Sequence, residues 1–198
     1  MRTIYVDMDD VLTESNLIFL DVLEREFNKK VGYEDIHTFD LKVSFGLTED
    51  EFERFFECIH QEDEMMKQTP VPGSKETLQH WQDQGYEVKI LTGRPVASEG
   101  VSVDWLARHG YAYDSFTIVD KYNRAASKGN GSMSLERLAE CSFDLAIEDS
   151  GKMAQFLSET MGVQVALLER PWNRSMDFNG NVARCADWQE IKTRFERV

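Results

Sequence analysis

The chain of 198 residues is strongly acidic, with 36 Asp and Glu residues against 22 Lys and Arg residues and a formal net charge of -14 at pH 7. This charge argues against binding along a nucleic-acid polymer, because such binding needs Lys and Arg to replace the counterions of the phosphates. Hydrophobic residues make up 41% of the sequence, which is enough for the core of one domain with an insertion or of two small domains.

The first predicted element is a short strand from Thr3 to Met8 that ends in acidic residues. Apolar residues then recur at helical spacing from Ser15 to Lys30, and Gly32 marks the expected end of that helix. A second helix is predicted from Thr48, because Thr48 and Glu51 have the spacing of a capping box. The segment that contains both helices shows no strand pattern.

After the turn signal P-V-P-G at residues 70–73, predicted strands alternate with predicted helices. Four further strands are expected, at Glu87 to Leu91, Phe116 to Val119, Phe143 to Ile147 and Val163 to Leu168. Five strands joined by helices predict an α/β fold with a doubly wound parallel sheet, which binds ligands beyond the carboxyl ends of its strands. Because we find neither a membrane-spanning apolar run nor a signal-peptide core, we expect a cytoplasmic protein without a membrane partner.

Polar groups follow three of the predicted strands. They are Asp7 and Asp9 after the first strand, Thr92, Gly93 and Arg94 after the second, and Glu148 and Asp149 after the fourth. Alternation along an extended segment puts Asp7 and Asp9 on one side, where two like charges need a cation or a shared proton. Mg²⁺ prefers oxygen ligands, so Asp7 and the acidic pair Glu148 and Asp149 are its predicted ligands.

These residue types suit phosphoryl transfer. Asp7 is the candidate nucleophile, and Asp9 is the candidate general acid and base. Thr92 is expected to hydrogen-bond the phosphoryl group, while a lysine balances the charge on its oxygens. Because any one of these residues alone is more often a turn, cap or surface residue, the hypothesis depends on the strand ends taken together.

The motifs D-M-D-D-V-L, I-L-T-G-R and A-I-E-D-S, in this order between residues 7 and 150, resemble the first, second and fourth motifs of the haloacid dehalogenase superfamily. The resemblance implies that Asp7 is the nucleophile and a metal ligand. It also implies that Asp9 is the acid and base and lends its backbone carbonyl to Mg²⁺. Dehalogenases and P-type ATPases of the superfamily lack an aspartate there, so the resemblance implies a phosphatase or a phosphomutase.

The other two motifs supply the remaining expected contacts. By the same resemblance, the second motif binds the phosphate, with Thr92 as its main contact and Gly93 and Arg94 beside it. Glu148 and Asp149 of the fourth motif hold the metal, directly or through water.

The lysine of the third motif has two candidates. Lys128 lies in an S-K-G loop before the helix that precedes the fourth strand, where the superfamily usually places this lysine. Lys121 lies in V-D-K-Y directly after a strand, which matches the nucleotidase branch. Lys128 is slightly favoured, and both residues stay candidates for phosphate binding.

The resemblance further implies two structural parts. Residues 15–69 are expected to form a small helical cap inserted after the first strand, and residues 1–14 and 70–198 are expected to form the catalytic core. The P-V-P-G turn, the R-P-W-N sequence at residues 170–173 and Trp188 resemble the 5'(3')-deoxyribonucleotidase branch. This branch implies a (deoxy)nucleoside monophosphate as substrate.

The predicted cap contains four phenylalanine residues that are relevant to binding a nucleotide base. Phe19, Phe39, Phe45 and Phe56 are candidates for an aromatic face that holds a base, although aromatic residues at helical spacing are more often cap core. Asp10 stands where this branch often has glycine, and it adds negative charge near the entrance.

Two alternatives to a nucleotidase stay open. A phosphatase or phosphomutase for sugar phosphates or other metabolites would use the same motifs and differ only in its cap contacts. A non-catalytic phosphate-binding regulatory protein is the other alternative, and the presence of Asp7, Asp9 and the acidic pair argues against it. In each case the expected partner is a small-molecule phosphate ester.

Overall fold

The computed structural model describes residues 2–122, 131–178 and 180–196. Its strands are β1 (Thr3–Val6), β2 (Glu87–Thr92), β3 (Ser115–Ile118), β4 (Leu145–Glu148), β5 (Gln164–Leu168) and β6 (Val182–Cys185). They form a six-stranded sheet in the order β3-β2-β1-β4-β5-β6, and every neighbouring pair is parallel. The predicted α/β fold with a parallel sheet is confirmed.

Strand β1 occupies the middle of the sheet. Its last residue, Val6, pairs with Ile90 of β2 on one side and with Ile147 of β4 on the other. Ile4, Tyr5 and Val6 are all fully buried, as expected for a strand that is covered on both faces. The carboxyl ends of β1, β2 and β4 therefore meet at one edge of the sheet, which is where the three sets of predicted site residues follow.

The first four α-helices of the chain form a helical insertion between β1 and β2, within residues 15–69, and their apolar cluster also includes Trp172 from the segment after β5. The insertion contains α1 (Ser15–Phe27), α2 (Leu41–Ser44), α3 (Glu49–Ile59) and α4 (Glu62–Met65). Its apolar centre is built mainly by buried aromatic and aliphatic side chains, among them Phe19, Leu23, Phe45, Phe55 and Ile59. Phe55 lies at the middle of this centre, in edge contact with Phe19 and Phe45.

The remaining helices cover the two faces of the sheet. They are α5 (Ser74–Asp83), α6 (Glu99–His109), α7 (Leu135–Ala139), α8 (Gly151–Gln155) and α9 (Trp188–Arg194). Helices α5, α6 and α9 pack on the face that carries Ile4 and Val6, whereas α7 and α8 pack on the face that carries Tyr5. Side-chain alternation along β1 thus gives each layer its own apolar core.

Two expectations about the elements were wrong. The sheet has a sixth strand, β6, which the sequence did not indicate because its four residues, V-A-R-C, include a charged one. Helix α1 ends at Phe27 rather than near Gly32, since Asn28 adopts a left-handed backbone with φ 51° and its N–H donates to the Leu23 carbonyl. Asparagine tolerates this conformation better than most residues and can replace the expected glycine.

The chain passes between the sheet and the helical insertion at two adjacent points. The Glu14 N–H donates to the Thr69 carbonyl at 2.8 Å, and the Val71 N–H donates to the Leu12 carbonyl at 2.9 Å. These bonds hold the outgoing and returning segments side by side, directly after the end of β1. Within the described ranges, no helix is long and apolar enough to cross a bilayer.

Candidate active site

Asp7 and Asp9 lie just beyond the end of β1 and line the same pocket. The Asp7 N–H donates to the Ile147 carbonyl at 3.0 Å, which continues the ladder between β1 and β4 and fixes the backbone there. The Asp7 side chain is only 7% exposed, whereas the Asp9 side chain is 32% exposed. The structure therefore brings the two predicted acids to one site, with Asp9 the more accessible from the pocket.

Asp7, Glu148 and Asp149 form a buried carboxylate cluster. One oxygen atom of each residue lies within 4.8 Å of the others. Burial, followed by the negative charge of Glu148, raises the pKa of Asp7 to about 7. Burial, followed by the charge of Asp7, also raises the pKa of Asp149 well above its usual value. Three converging oxygen ligands whose charges repel one another are a donor set that a hard divalent cation would fit.

Lys121 supplies a positive charge to this cluster. Its Nζ donates to Asp7 Oδ1 at 2.8 Å and to Glu148 Oε1 at 2.7 Å, and its side chain is fully buried. Burial alone would lower the pKa of Lys121, but Asp7 and Glu148 outweigh that effect and raise it. The hydroxyl of Tyr5 donates to the same Glu148 oxygen. The other candidate, Lys128, lies outside the described residues.

Asp9 is held by Arg94. The guanidinium donates from Nη2 to Asp9 Oδ1 at 2.6 Å and from Nε to Oδ1 and Oδ2 at 3.1 and 3.0 Å. Burial would raise the pKa of Asp9, but the Arg94 guanidinium outweighs it and lowers that pKa to about 2. The side chain that the sequence predicts as a phosphate contact thus holds a carboxylate in the structure.

Thr92 is the last residue of β2, and Gly93 begins the turn that follows. Thr92 is fully buried, and its hydroxyl accepts a hydrogen bond from the Arg94 N–H at 3.2 Å. Gly93 lines the pocket and packs closely against its neighbours. A Cβ atom on Gly93 would lie 2.8 Å from Tyr122 Cε2 and 3.4 Å from Lys121 Cδ. Glycine therefore allows the backbone of this turn to approach the residues that follow β3.

Asp10 adopts a left-handed backbone with φ 54°, which explains why a glycine would also suit this position. Its buried carboxylate accepts hydrogen bonds from the backbone N–H and the side-chain amide of Asn16. Burial raises the pKa of Asp10 to about 7, although the Asn16 N–H partly opposes the shift. Arg170 donates to the Asp10 carbonyl through Nε and Nη2. Asp10 thus helps to fix the turn between β1 and α1.

Sequence reasoning did not assign several residues that contact the site. Trp172 Nε1 donates to Asp149 Oδ2 at 2.9 Å, and the Asn173 amide donates to the Asp149 carbonyl at 2.8 Å. Both belong to the R-P-W-N sequence that follows β5, so their position after a strand was the available signal. Ser15 donates to Asp9 Oδ1, and Gln68 accepts from Arg94. No local sequence pattern predicts either of these two contacts.

Five aromatic side chains line the pocket that the acids line, together with the aliphatic residues Ile36, Leu41 and Ile59. Phe19, Phe39 and Phe56 come from the helical insertion, while Tyr122 and Trp172 come from the segments after β3 and β5. The fourth candidate, Phe45, packs against Phe55 inside the insertion and does not line the pocket. The site combines two neighbouring carboxylates, a buried ammonium group and an apolar wall, which together suit hydrolysis of a phosphate ester on an organic group.

Comparisons with known proteins agree with this chemistry. The family described as "5' nucleotidase, deoxy (Pyrimidine), cytosolic type C protein" matches residues 1–196. A relative from Halalkalibacterium halodurans, named "Putative nucleotidase BH1399", is 26% identical over 187 residues, which cover 94% of this chain and 89% of that protein. "Putative nucleotidase YqfW" from Bacillus subtilis is 22% identical over 192 residues and covers 96% of this chain and 91% of that protein.

Solved structures share the fold. A HAD-superfamily hydrolase of subfamily IA from Geobacter sulfurreducens superposes with a TM-score of 0.62 at 15% identity, covering 98% of this chain and 96% of the other. The magnesium-bound "putative HAD-hydrolase YfnB" from Bacillus subtilis superposes with a TM-score of 0.59 at 14% identity, covering 99% of both chains. The family match and this shared fold together confirm the resemblance to the haloacid dehalogenase superfamily.

Proposed function

The chain belongs to the family described as "5' nucleotidase, deoxy (Pyrimidine), cytosolic type C protein", and from this premise we propose that it hydrolyses a (deoxy)nucleoside monophosphate through an aspartyl-phosphate. It is a phosphatase of the haloacid dehalogenase type. The observation that carries this proposal is that Asp7 and Asp149, which form a buried cluster with Glu148 and Lys121, line a pocket that five aromatic side chains also line. We propose a cytosolic location, as in the description of the family.

Asp7 is the proposed nucleophile. One of its oxygens attacks phosphorus while the bond between phosphorus and the ester oxygen breaks, which leaves an aspartyl-phosphate and an alcohol. The Lys121 ammonium group, 2.8 Å from Asp7 Oδ1, offsets negative charge where the phosphoryl oxygens would lie. This contact supports Lys121 as the lysine of the third motif, and Lys128 stays the alternative.

Asp9 is the proposed acid and base. It gives a proton to the departing alcohol oxygen, and its carboxylate then takes a proton from the water that attacks the aspartyl-phosphate. The accessible face of Asp9 supports this role, because the residue borders the same pocket as Asp7. Thr92 is fully buried and the Arg94 guanidinium is engaged by protein oxygens, so we propose that Gly93, rather than these two side chains, lies against the phosphate.

Asp7 and Asp149 are the proposed side-chain ligands of a Mg²⁺ ion, with the Asp9 backbone carbonyl as a third ligand. Asp149 lines the pocket and keeps Oδ2 bonded to Trp172, which leaves Oδ1 for a cation. Glu148 is fully buried, and Lys121 and Tyr5 both donate to its Oε1. We therefore assign Glu148 mainly to holding Lys121. The ion would supply positive charge that lets a phosphate approach Asp7.

The walls of the pocket support a nucleotide as the substrate. Phe19, Phe39 and Phe56 of the helical insertion face the acids together with Tyr122 and Trp172, and a flat, polarisable base fits such side chains better than a sugar does. We propose that the helical insertion acts as a cap that covers the substrate, and that residues 1–14 and 70–198 act as the catalytic core. The apolar cluster of the insertion supports this division, because all of its buried members except Trp172 lie within residues 15–69.

A phosphatase screen tests the proposal. Deoxynucleoside monophosphates, ribonucleoside monophosphates and sugar phosphates are offered to the protein with Mg²⁺ or with chelator. We expect the wild type to release phosphate from nucleotides in the presence of Mg²⁺ and not in chelator. The Asp7→Asn variant should release none under either condition. Asp104→Asn, which removes an exposed carboxylate on α6, is the matched control and should behave as the wild type.

The outcomes of the screen separate the alternatives. Faster release from sugar phosphates would favour a metabolite phosphatase or mutase, and no release from any ester would favour a non-catalytic protein. Lys121→Met and Lys128→Met, compared in the same assay, identify the lysine on which turnover depends.

A further inference from the structure

Arg94 is buried although it follows a strand at the pocket edge. Its side chain is 1% exposed, and all three nitrogen atoms of its guanidinium group, Nε, Nη1 and Nη2, donate to protein oxygens. Nη1 donates to Ser102 Oγ at 3.1 Å, and Nη2 donates to Gln68 Oε1 at 2.6 Å as well as to Asp9. A guanidinium engaged in this way has little capacity left for a phosphate.

The two carboxylate oxygens of Asp9 have different surroundings. Oδ1 accepts from Arg94 Nη2 at 2.6 Å, from Arg94 Nε at 3.1 Å and from the Ser15 hydroxyl. Among the residues that the structure describes, Oδ2 accepts one hydrogen bond, from Arg94 Nε at 3.0 Å. Because the side chain is 32% exposed and Oδ1 is surrounded by donors, Oδ2 is the oxygen that has room for a further partner.

The guanidinium itself is held from two elements. Gln68 lies where the chain returns from the helical insertion, is 2% exposed and accepts a bond from Trp105 Nε1 at its own carbonyl. Ser102 lies on α6, and its hydroxyl donates to the Ser98 carbonyl. These fixed acceptors define the plane of the guanidinium, and a planar group that contacts both oxygens of a carboxylate fixes the orientation of that carboxylate.

We propose that Arg94 is a positioning residue that holds Asp9 with Oδ2 directed to the substrate, and that Oδ2 is the atom that exchanges the proton. This inference rests on the proposed phosphatase reaction. In the first half-reaction, the bond from Asp7 to phosphorus forms, the bond from phosphorus to the ester oxygen breaks, and a proton moves from Asp9 Oδ2 to that oxygen. Arg94 keeps Asp9 ionised in the free protein, so Asp9 takes up this proton when the negatively charged phosphate enters the site and opposes the effect of Arg94 on the pKa. The products are the aspartyl-phosphate and the free alcohol.

Substrates that differ in their leaving group test this role. An alkyl ester such as a deoxynucleoside monophosphate needs proton donation to its leaving oxygen, whereas p-nitrophenyl phosphate releases a stable anion and needs it little. The ratio kcat/KM reports only the steps up to aspartyl-phosphate formation, provided that step is irreversible. It therefore isolates the acid role of Asp9 from its role in hydrolysing the intermediate.

Arg94→Met should lower kcat/KM for the nucleotide by about 100-fold or more, in the range of general acid catalysis, but by less than about 10-fold for p-nitrophenyl phosphate. Arg94→Lys, which keeps the charge but not the planar fork, should recover part of the loss. Gln68→Leu should show the same selectivity with a smaller loss. Arg137→Lys, on the exposed side of α7, is the control and should match the wild type.

Equal losses on the two esters in all three variants at Arg94 and Gln68 would show a structural role only, and unchanged kinetics would show that Arg94 is dispensable. Circular dichroism identifies a variant that has failed to fold, in which case the other variants decide. Absence of activity in the wild type would instead contradict the proposed function, so the two failures are distinguishable.

Discussion

Single residues at the site are constrained by neighbours that lie far away in the sequence. Lys121 contacts Asp7 and Glu148; Asp7 follows β1, Lys121 lies after β3, and Glu148 is the last residue of β4. Gly93 illustrates the same constraint through its size, because the missing side chain is what allows Tyr122 and Lys121 to lie against the turn after β2. A substitution at Gly93 should therefore affect catalysis by displacing Lys121, since glycine has no reactive side chain to lose.

Gly93→Ala should reduce kcat by about 10- to 100-fold, since small misplacements of catalytic groups have effects of this size. The added methyl group would lie 2.8 Å from Tyr122 Cε2, and we expect a decrease of about 1 to 3 kcal/mol in the free energy of unfolding from overpacking. Urea unfolding and steady-state kinetics measure the two effects.

Gly100→Ala is the matched control for this substitution. Gly100 lies near the start of α6 with no atom within 4 Å of the added Cβ, so the change should leave kcat unaltered and stabilise the protein by about 0.5 to 1 kcal/mol. If Gly93→Ala resembled this control, the close approach of the turn would have no importance for catalysis.

At the scale of elements, the sequence predicted those that depend on neighbouring residues better than those that depend on residues far apart in the chain. The capping box at the start of α3 depends on two residues three positions apart, and the structure contains both of its hydrogen bonds, between Thr48 and Glu51. Strand β6 depends instead on pairing with β5 and on Arg184, whose guanidinium donates to the Asn173 and Met176 carbonyls. A charged residue in the middle of this strand is explained only by these two carbonyl acceptors, which lie outside β6.

The same difference applies to the site. The motifs after β1, β2 and β4 predicted which carboxylates would meet, because parallel strands end at one edge of the sheet. The sequence did not indicate that Arg94 would bind Asp9, or that Trp172 would bind Asp149. These pairs are 85 and 23 residues apart, and no periodic pattern links residues across such loops.

Thr48→Ala tests the contribution of the capping box. Removal of the hydroxyl leaves the Glu51 N–H without its partner, so we expect a decrease of about 1 kcal/mol in the free energy of unfolding. Thr193→Ala is the control, because this exposed threonine donates to a carbonyl of its own helix, α9, and its loss should change the free energy by less than about 0.5 kcal/mol. Equal effects in urea unfolding would contradict a special role for the cap.

At the scale of the whole molecule, we expect the buried acidic cluster to weaken the fold in the absence of a cation. Asp7, Glu148 and Asp149 lie together inside a protein with a net charge of -14, and Lys121 is the ammonium group that contacts the cluster among the described residues. Buried carboxylates that lower the stability of a protein are expected where they are retained for function rather than for folding. The stability of this protein should therefore depend on Mg²⁺ and on pH.

Asp149→Asn should have opposite effects with and without Mg²⁺. The pKa of Asp149 is raised in the folded state by burial and by the charge of Asp7, so the favourable contribution of its protonated form is lost as the pH rises through that value. In chelator, Asp149→Asn should raise the free energy of unfolding, and by more at pH 8 than at pH 5.

With Mg²⁺ at about 100 times its Kd, the wild type should gain about 2.7 kcal/mol, and the variant should gain much less because it lacks a proposed ligand. Urea unfolding at both pH values, with Asp104→Asn as the exposed control, measures these differences. A variant that was less stable than the wild type in chelator would mean that the Asp149 carboxylate contributes to folding, since its bond from Trp172 would then outweigh the repulsion from Asp7.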